Sequence, residues 1–279
     1  MLDYLAFKAD LSTSESVAVY DELPLWSAHF GALLLREVPL RPATVALDVG
    51  CGTGFPLLEL AERLGPASRV YSIDPWEAAL ERGRTKARAW GVANVEIVHG
   101  DAAAMPFADA QFDLVVANLG VNNFADRAAV FMECGRVCRP GGTIALTTNP
   151  PGHMRELYEV YAATLRELGK DARLPALERH VAHRATIAEI AGYLERAGFH
   201  VARVCEEEAV MRFADGSALL RHHFIKLGFL DEWKAVVDED EREAVFARLE
   251  VNLNQLASER GDLTLTIPMA YVEGERTER

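Results

Sequence analysis

Leu47-Asp48-Val49-Gly50-Cys51-Gly52-Thr53-Gly54 closes an apolar run that begins at Thr44, and an amphipathic run follows from about Phe55. The order is buried strand, glycine turn, helix. Glycines let the backbone turn tightly and approach a ligand, and the first helical turn offers N–H groups with no intrahelical partner. Spacing then separates loops of this kind. A dinucleotide-binding turn needs G-x-G-x-x-G, whereas here the third glycine is Gly54 and Phe55 follows. A phosphate-cradling loop ends in Gly-Lys-Ser/Thr, and no lysine follows Gly54.

The same rhythm repeats downstream. Leu57, Leu60, Ala61 and Leu64 share a helix face that stops at Gly65-Pro66. A second strand, Val70 to Ile73, ends at Asp74-Pro75, and its helix runs from about Trp76 to Trp90 and closes with Gly91. A third strand, Val95 to Val98, ends at Gly100-Asp101; a fourth, Phe112 to Ala117, ends at Asn118. A helix over about 126–137, the turn Arg139-Pro140-Gly141-Gly142 and a fifth strand, Thr143 to Thr148, complete the series. Strands alternating with helices argue for an α/β protein with a parallel, doubly wound sheet.

The flanks read differently. Residues 1–43 read as a helical cap ahead of a main domain over 44–279, with Ser12 and Glu15 as a capping box and an apolar helix from Leu23 to Val38. Helical insertions are expected over about 152–184 and 215–260, the second with Val245, Leu249 and Leu256 inward. Between them Thr186 and Glu189 form a capping box, and Ile187, Ile190, Ala191 and Leu194 give the stripe of a helix ending at Gly198. Strand six is expected over about 199–205 and the last strand over 263–267, with a charged, frayed tail from Glu273.

Composition narrows the class. The 279 residues are half hydrophobic and a quarter charged, ordinary for a globular protein with a sizeable core. A net charge of −13 argues against duplex or tRNA substrates, which require a basic surface. The first residues lack the basic and apolar regions of a signal peptide, and no apolar run reaches the roughly 20 residues of a membrane span, so a cytoplasmic protein is expected. Cys51, Cys134, Cys138 and Cys205 show no paired zinc-site spacing and read as structural thiols; no metal site is expected.

In open α/β sheets the ligand crevice lies beyond the carboxyl ends of the strands. Those ends carry Gly50 to Gly54, Asp74, Asp101, Asn118 and Asn149. A carboxylate at Asp74 suits both hydroxyls of a ribose diol, though Asp ahead of Pro75 is also an ordinary helix cap. With Asp48 just before the glycines, the stretch resembles the first motif of class I S-adenosylmethionine (SAM)-dependent methyltransferases. Gly100-Asp101-Ala102 and the run Met105-Pro106-Phe107 into Phe112-Asp113-Leu114 resemble later parts of the same family, which covers about residues 44–205 well and 263–272 weakly.

The resemblance implies a Rossmann-like, mostly parallel seven-stranded sheet, with strand seven antiparallel between five and six and helical insertions forming a lid. It implies SAM as cofactor: Asp48, Gly50, Cys51, Gly52 and Gly54 at the methionine portion, Asp74 on the ribose, Pro75 and Trp76 beside the adenine, Asp101 and Ala102 on its polar edge, and Asn118 at the end of strand four. Insertions and amino-terminal helices are where this family builds its substrate pocket. Asn149-Pro150-Pro151-Gly152 is not the adenine amino-methyltransferase motif, which follows strand four and ends in an aromatic. The residues after strand four are Asn118, Asn122 and Asn123, not the acids of a magnesium-dependent enzyme.

Methyl transfer from a sulfonium rests chiefly on alignment and water exclusion, and needs a base only where the nucleophile keeps its proton. His153 is the base candidate, Asn122 and Asn123 are candidates to orient substrate, Tyr20 is a further candidate from the amino-terminal region, and His29, His222 and His223 sit in expected lid helices. The expected function is methylation of O, N or C of a small molecule, in the broad branch that includes ubiquinone and menaquinone C-methyltransferases. A protein or RNA acceptor, or a SAM-binding protein without transfer activity, stays as the alternative.

Overall fold

A computed structural model describes residues 2–23 and 25–278. Seven strands form one sheet in the order β3-β2-β1-β4-β5-β7-β6: β1 Val45–Val49, β2 Arg69–Asp74, β3 Val95–His99, β4 Phe112–Asn118, β5 Cys138–Thr148, β6 Phe199–Phe213 and β7 Leu263–Arg276. The first five pair in parallel, and β7 pairs with β5 antiparallel. This is the doubly wound sheet, with strand seven inserted between five and six. The interior strands are buried on both faces, as parallel strands covered by helices must be; Leu47, Val49, Val115, Val116 and Ala145 are almost fully hidden.

The chain divides into two compact units. The sheet unit comprises Leu11–Asn149, Ala185–Glu207 and Met269–Arg279. It holds α1 Ser14–Asp21, α2 Ser27–Glu37, α3 Leu57–Leu64, α4 Glu77–Trp90, α5 Arg127–Val137 and α8 Ile187–Arg196. The helical unit comprises Met1–Asp10, Pro150–Arg184 and Glu208–Pro268, with α6 Arg155–Glu167, α7 Leu174–Ala182, α9 Gly216–Arg221, α10 His223–Gly228, α11 Leu230–Lys234 and α12 Glu239–Arg260. Residues read from sequence as one amino-terminal cap therefore divide between the units after Asp10.

Helix boundaries follow local chemistry. Asp126 caps α5 by accepting from Ala129 N–H at 3.0 Å, Gly91 ends α4 in the left-handed region, and Thr186 with Glu189 forms the expected capping box of α8. At α1 the cap is Thr13, not Ser12: its Oγ1 accepts from Ser16 N–H at 3.2 Å and Ser16 Oγ donates back to its carbonyl. Helix α2 begins at Ser27, four residues later than expected, and Pro24 lies outside the described residues.

In α12 the buried positions include Val245, Leu249, Leu253 and Ala257, every fourth residue, with Phe246 beside them. Leu256, expected inward, is only partly covered; its place is taken by Leu253 and Ala257. Each large side chain on this stripe contributes roughly 1.5–3 kcal/mol by leaving water. Opposite it lie Tyr4, whose hydroxyl reaches Glu250 at 3.1 Å, and Tyr161, whose hydroxyl donates to Trp233 O at 3.0 Å.

The expected frayed tail is a correction. Glu273 pairs with Ala145 and Glu275 with Thr143, so residues 270–275 are the part of β7 that enters the sheet against β5. Arg276 then fastens the strand by donating to Gly135 O at 2.9 Å and Gly198 O at 2.8 Å. Charge misled the reading, because these acids stand on a strand whose neighbours supply the burial. The Arg139-Pro140-Gly141-Gly142 turn is absorbed into β5 as an irregularity between the pairs Phe112↔Cys138 and Leu114↔Thr143. Among the described residues no helix is long and apolar enough to cross a membrane.

Candidate active site

Parallel pairing places the carboxyl ends of β1, β2 and β4 side by side: Asp48 stands opposite Ser72 on β2 and Val116 on β4. Beyond the pairing, Gly50 N–H donates to Ile73 O at 2.9 Å, so the glycine turn starts on a backbone bond to β2. Gly50, Gly52 and Gly54 all have positive φ, at 80°, 51° and 97°. L-residues rarely adopt these values, which explains the glycine at every second position.

Asp74 closes the turn from the other side. Its Oδ2 accepts from Gly52 N–H at 2.9 Å and its Oδ1 from Trp76 N–H at 2.8 Å. One carboxylate thus holds both the glycine loop and the start of the β2–α4 connection. A Cβ added at Gly52 would meet nothing within 4 Å, so the loop borders open space there.

Beneath it Asp48 is fully buried, and among the described residues neither carboxylate oxygen has a hydrogen-bond partner. Burial pushes its carboxyl up to about 7, with a further push from the negative Asp74. An orphaned buried carboxyl is costly and asks for a donor or a cation. Open space over Gly52, two converging carboxylates and unpaired acceptors fit a cationic nucleoside ligand such as SAM. Cys51, 2% exposed, is a thiol that burial holds protonated.

Amino-terminal helices close over this edge. Phe55 packs where Gly31 of α2 leaves room; a Cβ at Gly31 would lie 2.2 Å from the Phe55 ring. Trp76 Nε1 donates to Leu11 O at 3.1 Å and the Trp76 ring meets Tyr20 edge-on at 5.3 Å. Asp21, at the end of α1, binds Arg82 at 2.8 Å and Lys86 at 2.7 Å on α4. Asp21 was missed from sequence; a lone acid ending a short helix carries no local signal of partners 61 and 65 residues away. Tyr20 keeps its proton, because burial and the nearby Asp74 and Asp21 disfavour the phenolate.

The remaining predicted residues separate into those at this edge and those elsewhere. Asp101 is exposed and its Oδ1 accepts from Ala103 N–H at 2.8 Å, a local turn, while Ala102 is buried. Pro75 is exposed. Asn118 accepts from Thr147 Oγ1 at 2.7 Å and donates to Ser27 O at 3.4 Å. Leu119, next to it, has φ 63°, an unusual value for a bulky residue and a second feature missed from sequence.

Asn122, a candidate to orient substrate, makes three hydrogen bonds within the fold. Its amide donates to Asn149 O at 3.0 Å and Thr148 Oγ1 at 3.3 Å and accepts from Ala185 N–H at 3.0 Å. Asn123 is exposed and bonds Leu119 O at 3.4 Å. His153 belongs to the helical unit, is 1% exposed, and lies 5.5 Å from the Phe229 ring; burial holds it neutral, well below the usual imidazole value. His29 is exposed on α2. Cys134 and Cys138 are buried free thiols in the core between sheet and helices. Among the described residues no three His, Cys, Asp or Glu side chains converge as a metal set.

A family model described as a methyltransferase domain matches residues 47–146, from β1 into β5. Nocamycin O-methyltransferase of Saccharothrix syringae is 33% identical over 254 residues, 86% of this chain and 88% of that protein. The chain belongs to the class I SAM-dependent methyltransferases. Demethylmenaquinone methyltransferase of Geobacillus stearothermophilus is 39% identical over 131 residues, 46% of this chain. That match spans 56% of the relative, so this methyltransferase shares about half its length with it. The SAM-dependent methyltransferase of Aquifex aeolicus shares the fold, with a TM-score of 0.53 at 22% identity over 71% of this chain and 92% of that one. The family match covers the glycine turn, Asp74, Asp101 and Asn118; the longer relative extends the likeness through the methyltransferase's helical unit.

Proposed function

We propose that the protein binds SAM at the glycine turn and transfers its methyl group to a small-molecule acceptor. The observation that carries this reading is the pair of carboxylates under open backbone: Asp74 braced by Gly52 and Trp76, and Asp48 buried with both oxygens unpaired. SAM supplies an activated methyl group on a sulfonium. Gly50 and Gly52 bring bare backbone to the methionine portion, and Asp48 offers negative charge to its cationic groups. Asp74 retains lone pairs for the ribose hydroxyls beyond the two backbone bonds it accepts. Asp101 and Ala102 address the adenine edge, and Trp76 with Tyr20 covers its face. Tyr20 holds its proton and Cys51 is a buried thiol, so neither is poised as a base.

Calorimetry with SAM, alongside Asp74→Ala, tests the cofactor reading; no binding by the wild type at millimolar SAM overturns it. Release of S-adenosylhomocysteine on addition of a fractionated metabolite extract, followed by mass analysis of the methylated product, tests transfer to a small molecule.

A further inference from the structure

Helix α1 is attached to the sheet unit differently from α2. In α2, Phe30, Leu33 and Leu34 are fully buried, and Gly31 is keyed onto Phe55. Helix α1 has eight residues, too few to be stable alone in water. It buries Val17, while Val19 on the same helix is exposed. Polar ties and one ring contact hold it. Leu11 O, ahead of the helix, accepts from Trp76 Nε1 at 3.1 Å, and Tyr20 meets the Trp76 ring edge-on. Asp21, the last residue of the helix, accepts from Arg82 Nε at 2.8 Å and Lys86 Nζ at 2.7 Å.

These ties end on the frame of the glycine turn. Trp76 N–H is held by Asp74, which also holds Gly52. Arg82 precedes Gly83, where α4 packs on the turn backbone to backbone: a Cβ at Gly54 would lie 3.4 Å from Gly83 Cα. Arg82 and Lys86 are four residues apart and share a face of α4. The turn, Asp74 and α4 thus form one close-packed frame, and α1 is laid against it. The ion pair suits a contact that opens. The Asp21 side chain is 9% exposed, whereas Lys86 and Arg82 keep contact with water. Drawing these charges together out of water costs much of what their attraction returns. On opening, every partner rejoins solvent and none is left stranded.

We propose that residues 11–22 are a strap over the adenine end of the cofactor site, latched by Asp21 on Arg82 and Lys86, and that release of this latch sets the rate of cofactor exchange. This rests on the SAM reading above, in which Trp76 and Tyr20 cover the adenine face. A latch across an entrance acts on entry and exit alike. Bound cofactor leaves when the strap lifts, and the next molecule enters through the same opening. Asp21 is then a positioning residue: it acts through its neighbour Tyr20, which it keeps against Trp76. The frame stays in place as the strap moves, because the Gly52 and Trp76 bonds to Asp74 and the Gly54–Gly83 packing do not involve α1.

The test uses the full chain and SAM. Dissociation is followed by chasing labelled SAM with excess unlabelled SAM, and association by stopped-flow tryptophan fluorescence. Asp21→Asn should raise the dissociation rate about tenfold, the effect of weakening charge-assisted hydrogen bonds, and should raise the association rate as well. A variant that only loosens the fold loses affinity without faster entry, so the joint rise separates a latch from a scaffold. Asp21→Glu, which keeps the charge, should fall between. Added salt should speed dissociation from the wild type and leave Asp21→Asn unchanged. Should Asp21→Asn not fold, Lys86→Gln, which leaves Arg82 on the carboxylate, must show the same joint rise to a smaller degree. Rates equal to the wild type in a folded variant, or slower association, overturn the strap. If the wild type binds no SAM in calorimetry, the cofactor reading falls and the strap with it; if it binds and the rates match, the strap alone falls.

Discussion

Gly52 donates its backbone N–H to Asp74 Oδ2 at 2.9 Å, so the acid that ends one strand holds the turn that ends its neighbour. The same carboxylate takes Trp76 N–H on its other oxygen. Asp74→Ala removes both charge-assisted bonds and a ligand contact. SAM affinity should fall by about a hundredfold or more, with about 2–4 kcal/mol of stability lost in urea unfolding. Asp74→Asn keeps one acceptor and should fall between. Unchanged SAM affinity in Asp74→Ala would remove this residue from the site.

Asp48 makes both stability and binding depend on pH. Its carboxyl is raised from 3.8 to about 7 in the folded protein. The unfolded chain therefore gives up this proton first, and stability falls as pH rises from about 4 to 7, then levels. The loss from this group is about 4 kcal/mol in the free protein. A cationic ligand reverses the preference by favouring the ionised form, so SAM affinity should rise with pH up to about 7 and then flatten. Below that pH, binding should release a proton, visible as a buffer-dependent calorimetric heat. Asp48→Asn should stabilise the free protein at pH 8 and flatten the affinity profile. A pH-independent SAM affinity in the wild type sinks the assignment.

Gly31 and Phe55 are fitted to each other. The gap left by the missing Cβ on α2 receives the first aromatic ring after the glycine turn. Gly31→Ala should cost about 1–3 kcal/mol by overpacking, despite the better helix propensity of alanine. Phe55→Ala in the same chain should recover part of the alanine penalty, which a double-mutant cycle measures. Additive effects would mean the ring moves aside freely.

The sheet was legible because its signal is local. Strand, glycine or acid, helix recurs from Thr44 to Thr148, and each unit stands by its own periodicity. The far end was less so: residues 270–275 became a strand only because β5 lies beside them, and acids such as Glu273 and Glu275 hide that context. The glycines and the acid at strand ends, Gly50, Gly52, Gly54 and Asp74, were readable for the same reason as the strands. The bonds that Asn122 makes were not readable, because its partners, Asn149 and Ala185, come from distant segments. His180 and Tyr158 carry no spacing signal, since only the packing of α6, α7 and α11 joins them to Trp233.

Asn122 ties the turn after β4 to the end of β5 and to the entrance of α8 through three hydrogen bonds. Asn122→Ala leaves Ala185 N–H and Asn149 O without that partner, at about 2–3 kcal/mol. Thermal unfolding should show the loss, while SAM affinity at a temperature where the variant is folded should stay within about twofold. A large fall in SAM affinity with little loss of stability would return Asn122 to the ligand contacts.

Arg276 separates a working strand end from a loose tail. Its guanidinium donates to Gly135 O on α5 and to Gly198 O after α8, so one side chain joins the last strand to two helices. The cation also lies 5.7 Å from the Phe199 ring. Arg276→Met keeps most of the apolar stem and deletes the donors, which should cost about 2–4 kcal/mol. A chain cut after Val272 loses the Arg276 bonds and the Glu273 and Glu275 pairings together, and should unfold at markedly lower urea than the point variant. Protease resistance and a urea midpoint equal to the full chain would mean that the segment is the frayed tail its charges suggest. A midpoint lowered in that order, Arg276→Met and then the cut chain, would mean that it closes the sheet.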